Sequence, residues 1–506
     1  MPSSPLTTSP LADSLLRGVA ANPAAPSDVL LRLLAPEGRP AWHALHGRPL
    51  PADVVETVVT HPDSSVRRIV ARNRHVAPEQ RGRLADDPSE RVRAGLASGP
   101  RPRLHPVTPL PDEALVTLLT AEDVPGRGGL LTADEIREDL VVSGQIPQSF
   151  RLRALKHPDP RIRAYAANSC WQLTSEQLDG LLADPDPTVR QAARSASRYL
   201  DPAAMEAELP ERDCHWRSVL LCNFAISDAV AEACLATGRN LWSLAGNRHT
   251  PAHAVARLAR HPDPEVRERV ASRADLDAAL LAELAEDTDA EVRSSALVHA
   301  LRRRWQHFGV LDEVPTWTAD LIGPPIEQHV DPEWYRACAV SDHPKLRRIA
   351  ATWPDLPEDL VARLAADPDS EVPRLLALNH PLAPPETVLA AFVACPRERA
   401  YLSTLPTLPR TGLRHLLDHE DPEVRALAAA DPTLDRPPVA LLTDPDERVR
   451  RAAAANPCLP ADVRDSLLND PELAEGAAAN PALTARQLHD LLDRTGLPGH
   501  CQSPGA

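Results

Sequence analysis

Arginines at one position of a recurring phrase are the residues whose type and spacing most clearly suggest chemistry. The phrase reads HPDPEVR at residues 261–267 and DPDERVR at residues 444–450. Guanidinium groups bind carboxylates and phosphates through forked hydrogen bonds, so a ladder of them could line a binding surface. The alternative, favoured for a residue fixed in every unit, is an ion pair to the adjacent unit with packing of the side-chain stem. The row consists of Arg67, Arg93, Arg163, Arg190, Arg267, Arg293, Arg425 and Arg450.

Histidines and cysteines would be the metal ligands, but their spacing argues against a metal site. Stacked helical units stand about 10 Å apart, so one histidine per unit cannot converge on one ion, and a turn role is favoured. The histidines that open the phrase, or stand near its start, are His61, His157, His261, His343 and His419. His415 and His419 lack a third ligand, and the group Cys214, His215, Cys222 and Cys234 does not match a zinc knuckle. With no phosphate-binding glycine loop and no GxSxG motif, we expect no catalytic residue, metal or cofactor.

Aromatic residues are scarce, at 3% of the chain, yet many of them fall between residues 301 and 335. Exposed aromatic side chains are typical anchors for a protein partner. The alternative, which we favour, is that they fill a gap where a regular unit is missing. These candidate partner-binding residues are Trp305, Phe308, Trp317, Trp334 and Tyr335.

The phrase also predicts where helices begin. An aspartate can accept a hydrogen bond from the free amides of a helix N-terminus, and a proline fits the first helical position. The aspartates that we predict as structural caps are Asp87, Asp184, Asp287, Asp367 and Asp444.

Successive copies of the phrase stand about 26 residues apart, and leucines three or four residues apart follow each Asn-Pro or Leu-Pro pair. Each unit is therefore predicted to contain two short helices that must stack on neighbouring units to bury their apolar faces. We expect an all-α fold of α- and 3₁₀-helices, with about eighteen units in a right-handed superhelical solenoid.

The pattern Asn-Pro-x-x-Pro, Leu-x-x-Leu-Ala-x-Asp-Pro-Asp-x-x-Val-Arg-x-x-Ala-Ala resembles the leucine-rich repeat variant family. The matches are best at residues 364–373 and 441–467 and degenerate over residues 11–495. The resemblance implies an α/3₁₀ superhelix and says little about function; HEAT-like repeats are the neighbouring alternative. The iron–sulfur cysteine cluster of the founding member is not carried over, because no cysteine precedes Cys170.

Composition limits the partners and the compartment. The net charge of −16 disfavours nucleic acid and anionic membranes as partners. The eight cysteines include no closely spaced pair, which indicates reduced thiols in a cytoplasm, and abundant Ala, Pro and Arg point to a GC-rich bacterial genome. Residues 1–10 do not form a signal peptide, and no apolar run is long enough to span a bilayer.

These observations predict a non-catalytic scaffold for another protein or a peptide. The alternative is a nucleic-acid-binding protein, such as a DNA glycosylase built from HEAT-like repeats. The expected divisions are a disordered tail at 1–10, repeat blocks at 11–100, 151–300 and 336–496, an irregular insert or altered repeat at 101–150, an aromatic-rich insert at 301–335 and a disordered tail at 497–506.

Overall fold

The computed structural model describes residues 10–100, 108–123, 131–167, 173, 175–273, 275–296 and 332–497. Within these ranges the chain folds into α-helices and short 3₁₀-helices, and no β-strand occurs. The predicted all-α fold class is therefore confirmed. The chain divides into two compact units: the first contains Met1–Gln145 and Val388–Ala506, and the second contains Ile146–Thr387.

The first unit combines helices from both ends of the chain. Its N-terminal α-helices are Pro10–Ala21, Ser27–Arg32, Trp42–Leu45, Ala52–Val59, Ser64–Ala71, Pro78–Gly82, Glu90–Ala97, Asp112–Thr120 and Ala133–Val142. Its C-terminal α-helices are Arg399–Leu402, Pro422–Ala429, Glu447–Ala454, Ala461–Leu467, Ala474–Ala478 and Ala485–Arg494. The 3₁₀-helices are Pro36–Ala41, Pro396–Glu398, Arg414–Leu416 and Val439–Thr443.

The second unit is formed by the middle of the chain. Its α-helices up to residue 285 are Gln148–Ala154, Pro160–Ala167, Ser175–Leu182, Pro187–Ser197, Pro202–Glu208, His215–Asn223, Asp228–Thr237, Leu241–Gly246, Ala252–Leu258, Pro264–Ala271 and Ala278–Ala285, with a 3₁₀-helix at Arg198–Leu200. Residues 290–296 are also helical. They are followed by Pro332–Ala339, Pro344–Ala351, Glu358–Ala365, Glu371–Asn379 and Pro385–Ala394, the last of which crosses the boundary between the units.

Helix Pro264–Ala271 shows why the recurring phrase begins a helix. The carboxylate of Asp263 accepts a hydrogen bond from the backbone N–H of Glu265 at 3.0 Å. Pro264 occupies the first turn, where a backbone donor is not needed. Val266 and Val270 are buried on one face of the helix. The phrase therefore supplies the cap and the first buried residue of the apolar stripe.

The core is assembled from the apolar stripes of adjacent short helices. Helix Ala252–Leu258 buries Val255 and Leu258, and it packs against Pro264–Ala271. In the second unit one continuous cluster runs from Met205 to Ala296 and consists mainly of Leu, Val and Ala. Small aliphatic side chains let short helices lie close together, which agrees with the low aromatic content of the chain.

Asparagines at the ends of several helices join neighbouring helix pairs. The Nδ2 of Asn456 donates to the carbonyl oxygens of Ala429 and Asp431, each at 2.8 Å, and its Oδ1 accepts the N–H of Cys458 at 2.8 Å. The equivalent three bonds occur at Asn22, Asn73, Asn247 and Asn480. In the sequence the Asn-Pro pairs indicated only the start of a leucine stripe; the asparagine side chain also bonds to the preceding helix pair.

The two ends of the chain meet inside the first unit. Asn22 donates to the carbonyl oxygens of Ala478 at 3.0 Å and Asn480 at 2.8 Å, just as Asn480 bonds to the helix pair before it. A Cβ on Gly18 would lie 2.3 Å from the backbone oxygen of Glu475, so helix Pro10–Ala21 packs closely on Ala474–Ala478. The last helix pair thus contacts the first through the bonds that join consecutive pairs.

The stretch predicted as an irregular insert at residues 101–150 contains an altered helix pair. Helix Ala133–Val142 packs against Glu90–Ala97. Gln145, which follows it, donates from Nε2 to the carbonyl oxygens of Leu96 at 2.8 Å and Ala97 at 3.0 Å. Gln145 therefore makes the bonds to the preceding helix that asparagines make elsewhere in the chain.

The predicted insert at residues 301–335 lies mostly outside the described residues. Its last residues, 334 and 335, belong to helix Pro332–Ala339, which packs against Pro344–Ala351. Lys345 of that second helix contacts the chain before the insert: its Nζ donates to Ser295 Oγ at 2.8 Å and lies 3.2 Å from Glu291 Oε2. Helix Pro344–Ala351 therefore contacts the helical residues 290–296 directly.

Candidate interaction surfaces

The arginine row serves contacts between neighbouring helix pairs. Arg267 donates from Nε and Nη2 to the two carboxylate oxygens of Asp287 at 2.7 and 2.9 Å, and from Nη1 to the carbonyl oxygen of His261 at 2.7 Å. The same fork joins Arg67 to Asp87, Arg163 to Asp184, Arg347 to Asp367 and Arg425 to Asp444. The other arginines of the row also donate from Nη1 to a carbonyl oxygen at the start of their own phrase. They are Arg93, Arg190, Arg293 and Arg450. The ion-pair interpretation is confirmed where the fork occurs.

The predicted helix caps are wrong by two or three residues. Asp186, not Asp184, caps helix Pro187–Ser197, and its carboxylate accepts the N–H of Thr188 at 2.8 Å. Asp184 instead accepts the N–H of Asp186 at 2.8 Å and the fork from Arg163. The caps near the other predicted positions Asp87, Asp287, Asp367 and Asp444 also fall later in the phrase. The sequence could not separate the two carboxylates, because only packing brings an arginine to the first.

These forks shift the acidity of their carboxylates. The hydrogen bonds from Arg267 lower the pKa of Asp287 below its ordinary value, and those from Arg163 and Arg425 lower the pKa of Asp184 and Asp444. Each aspartate is therefore charged at neutral pH and is held by its partner arginine.

Four of the five phrase histidines form turns at the start of the phrase. The Nδ1 of His61 accepts the N–H of Asp63 at 3.1 Å, and His157, His261 and His419 make the same bond. His343 differs, because it is itself the N-cap residue of helix Pro344–Ala351. Among the described residues, no three His, Cys, Asp or Glu side chains come together as a metal site would require.

The members of the cysteine group differ in exposure. Cys214 is exposed, and its sulfur accepts the N–H of Arg217 at 3.4 Å as the cap of helix His215–Asn223. Cys222 is half-buried, whereas Cys234 is buried and burial raises the pKa of its thiol. Their different surroundings favour the interpretation of these residues as parts of packed helices.

The predicted aromatic anchors are only partly described. Trp305, Phe308, Trp317 and the side chain of Trp334 lie outside the described part of the chain. Tyr335 is 1% exposed, and its ring stacks on that of Trp353 with centroids 4.7 Å apart. The Tyr335 ring is therefore buried in the core, which fits the favoured alternative of a packing role better than a partner-binding role.

Exposed aromatic side chains lie instead on two neighbouring helices of the second unit. Trp242 on helix Leu241–Gly246 and Trp216 on His215–Asn223 are each 47% exposed. The guanidinium of Arg269 lies 4.3 Å from the ring centroid of Trp242. A Cβ on Gly246 would lie 2.3 Å from Nε of Arg269, so the glycine leaves the space that the arginine occupies. We call Trp216, Trp242 and Arg269 the tryptophan surface.

Several basic side chains of the first unit fall within residues 43–75. We call His43, His46, Arg68, Arg72, Arg74 and His75 the basic cluster. The rings of His43 and His46 have centroids 4.7 Å apart, and Arg74 Nε lies 3.1 Å from His75 Nε2. Arg68 and Arg72 flank the position that a Cβ on Gly95 would take, at 3.3 and 3.6 Å.

The basic cluster shifts the acidity of its own members. Burial, with further contributions from the charges of His43, Arg72 and Arg68, lowers the pKa of His46. Burial and the neighbouring Arg74 lower the pKa of His75, while burial lowers the pKa of Arg74 to about 10. Each shift disfavours the positively charged form. The sequence contains two Arg-His dipeptides, Arg74-His75 and Arg248-His249, each directly after an asparagine that follows a helix. They lie outside the recurring phrase, so the repeat pattern did not single them out.

Comparisons with known proteins add no argument about function. No family model matches this chain, and no curated protein matches it. The crystal structure of an engineered protein is 16% identical and aligns over 93% of this chain and 97% of its own length, but with a TM-score of 0.14. The resemblance to the leucine-rich repeat variant family therefore stays a prediction.

Proposed function

We propose that this chain is a non-catalytic helical-repeat scaffold that binds another protein through the tryptophan surface. The observation that carries the proposal is the half-exposed Trp242 with Arg269 stacked on its ring. Tryptophan and arginine are the side chains most enriched among residues that dominate binding energies at protein interfaces. Stacking also orders the arginine before a partner arrives, which reduces the entropy that binding costs.

The recurring contacts support the scaffold part of the proposal. The Arg–Asp forks and the Asn–carbonyl bonds use repeated polar side chains to join helix pairs, as expected of a scaffold. We propose that the helix pairs are repeats of roughly 26 residues, about eighteen in the chain, stacked as an α/3₁₀ solenoid related to the leucine-rich repeat variant family.

The proposed compartment is a bacterial cytoplasm. The six described cysteines are free thiols, which fits a reducing environment. Within the described part of the chain, none of the helices combines the length and the apolar character needed to cross a bilayer.

The test is affinity capture from the native host with the tagged full-length chain, followed by mass spectrometry. Trp242→Ala should lose the proteins that the unchanged chain retains, with a partner affinity at least about tenfold weaker. Leu382→Ala is the matched control, because it also removes an exposed apolar side chain of the second unit, 62% exposed. Equal retention by Trp242→Ala and the unchanged chain, with both folded by circular dichroism, would contradict the proposed surface.

A further inference from the structure

Among the described residues, the buried arginine and lysine side chains form ion pairs with carboxylates, with one exception. The pairs are Arg32 with Asp493, Arg273 with Asp275, Lys345 with Glu268, Arg399 with Asp421 and Arg464 with Asp465. The exception is Arg81 on helix Pro78–Gly82, which is 2% exposed and so is the most deeply buried of these side chains. A charge buried without a counter-charge costs free energy, so the surroundings of Arg81 call for a physical explanation.

Arg81 makes one hydrogen bond to the protein. Its Nη1 donates to Oε1 of Gln145 at 3.1 Å, whereas its Nε is buried and has no partner. No carboxylate of the described residues forms a hydrogen bond or an ion pair with it. The stretches 101–107 and 124–130, which lie outside the described residues, contain no Asp or Glu. The Nε–Nη2 edge of this guanidinium therefore has no acceptor in the described part of the chain.

The charge of Arg81 is only weakly compensated. Burial lowers the pKa of its guanidinium to about 10, and the charge of Glu79 acts in the opposite direction. Glu79 is exposed, and it makes no direct contact with the guanidinium. Arg81 therefore stays positively charged at neutral pH, and an anion beside it would be stabilised.

Arg464 occupies the same place in its own helix pair and has the partner that Arg81 lacks. Arg81 follows the linking residue Asn73 by eight residues, as Arg464 follows Asn456. The Nε and Nη2 of Arg464 both donate to Oδ1 of Asp465, at 2.9 and 2.7 Å. A carboxylate thus binds the edge of Arg464 that has no acceptor in Arg81.

Glycine replaces this aspartate after Arg81. A Cβ on Gly82 would lie 3.2 Å from Cβ of Ala114 and 3.3 Å from Cδ of Pro111, which is tighter than an ordinary contact. The residues at the start of helix Asp112–Thr120 therefore occupy the space that a side chain at position 82 needs. Because of this packing, the chain does not supply the carboxylate in the way that Asp465 does.

We propose that the Nε–Nη2 edge of Arg81 binds a small carboxylate ligand from outside the chain. Two N–H groups on one edge of a guanidinium match the two oxygens of a carboxylate, as they do where Arg67 binds Asp87 in the same unit. The ligand must be small, because Arg81 is almost completely covered by protein. This site goes beyond the proposed scaffold function and does not depend on the tryptophan surface.

A carboxylate fits the site better than a phosphate. The Gln145 amide is not available as a further donor, because its Nε2 already donates to the carbonyl oxygens of Leu96 and Ala97 at 2.8 and 3.0 Å. The edge of Arg81 offers a fork of two donors, which satisfies two oxygens but leaves the others of a phosphate without partners. Burial likewise favours a free ligand over an acidic side chain on the surface of a folded partner.

Thermal melts of the full-length chain test this inference. They compare sodium acetate at about 0.1 M with sodium chloride and sodium phosphate at equal ionic strength, and with a glutamate tripeptide whose two ends are capped. A ligand that binds only the folded chain raises its melting temperature. We expect acetate to raise it by about 2–4 °C over chloride, and phosphate and the tripeptide to have no such effect.

Three variants assign the effect to Arg81. Arg81→Met removes the guanidinium and should abolish the difference between acetate and chloride. Arg81→Lys keeps the charge without the forked edge, so it should reduce the difference, and it serves as the test if Arg81→Met does not fold. Arg464→Met is the matched control from the same unit, because Asp465 already occupies the corresponding edge. It should keep the full response to acetate.

A measurement on the unchanged chain needs no variant. In ¹⁵N-edited NMR spectra, one arginine Nε–H signal protected from exchange should shift with acetate and not with chloride, because Nε of Arg81 is buried.

Several results would overturn the inference. They are an equal acetate response in Arg81→Met, loss of the response in Arg464→Met, a response to phosphate or to the tripeptide as large as that to acetate, or no shifting Nε–H signal. None of these results bears on capture through Trp242, so the scaffold proposal is tested separately.

Discussion

At the residue scale, the arginine of the phrase is the main link between neighbouring helix pairs. In the Arg267–Asp287 pair the two side chains are 13% and 11% exposed. If one partner is removed, the charge of the other therefore stays poorly solvated. The pair Arg260–Glu283 joins adjacent helices of the same unit, but its side chains are 58% and 43% exposed. Each pair makes two hydrogen bonds between its side chains, and the pairs differ in burial, which makes them a natural comparison.

We expect Arg267→Ala to lower the free energy of unfolding by about 1–3 kcal/mol, because it leaves the nearly buried Asp287 without its forked partner. Arg260→Ala should have no measurable effect, since exposed pairs contribute little. Urea denaturation followed by circular dichroism would measure both. Equal midpoints for the two variants would contradict the structural role assigned to the fork.

The fork also predicts how stability depends on pH. Because Arg267 lowers the pKa of Asp287 in the folded chain, the stabilisation is fully present above the ordinary aspartate pKa of 3.8 and is lost as pH falls through the lower, folded value. The difference in unfolding free energy between the unchanged chain and Arg267→Ala should therefore shrink below about pH 4. A difference that is constant through the acid range would show that the lost contact is not electrostatic.

At the scale of elements, close contact between short helices depends on small residues. Gly18 and Gly476 occupy matching positions, four residues before Asn22 and Asn480. A Cβ on Gly18 would lie 2.6 Å from Cβ of Ala478, and one on Gly476 would lie 2.5 Å from the backbone oxygen of Arg451. Both helices therefore lie nearly backbone to backbone on their neighbours.

We expect Gly18→Ala to destabilise the first unit by about 1–3 kcal/mol, because the new methyl group forces the two helices apart. Gly180→Ala is the control: no atom lies within 4 Å of its added Cβ, and alanine favours the helix by about 0.5–1 kcal/mol over glycine. Thermal melts of the two variants should shift in opposite directions. A neutral Gly18→Ala would mean that the helices can separate at little cost.

At the scale of the whole molecule, the first unit is completed by both chain ends. The ends of a chain usually fray because their outer faces lack partners. Here Arg17 Nε donates to Glu475 at 2.8 Å, and Arg32 Nη2 donates to Asp493 at 2.6 Å, across more than 450 residues of sequence. Helices Pro10–Ala21 and Ala474–Ala478 cover each other's apolar faces.

Hydrogen–deuterium exchange would test this contact. We expect Asn22→Ala to increase exchange in both Pro10–Ala21 and Ala474–Ala478, because it removes the bonds to Ala478 and Asn480. Asn247→Ala, which removes the equivalent bonds in the second unit, should leave both segments protected. Faster exchange confined to the N-terminal helix would contradict direct packing of the two ends.

Local signals in the sequence predicted the helices well and their partners less well. The proline, the capping carboxylate and the apolar spacing act within one turn, so the phrase located helix Pro264–Ala271. The choice between Asp184 and Asp186 depended on an arginine about twenty residues away. Tyr335 and Trp242 are both aromatic residues of short helices, yet one is buried and the other half-exposed.

By itself the sequence determined that the described residues are helical and, to within two or three residues, where the helices of the phrase start, because capping, proline geometry and side-chain periodicity are local properties. Only the tertiary structure decided which aspartate receives each arginine, which aromatic rings are exposed and which helix covers each chain end. These outcomes depend on surfaces brought together from distant parts of the chain. A local sequence pattern does not indicate which of these surfaces pack against each other.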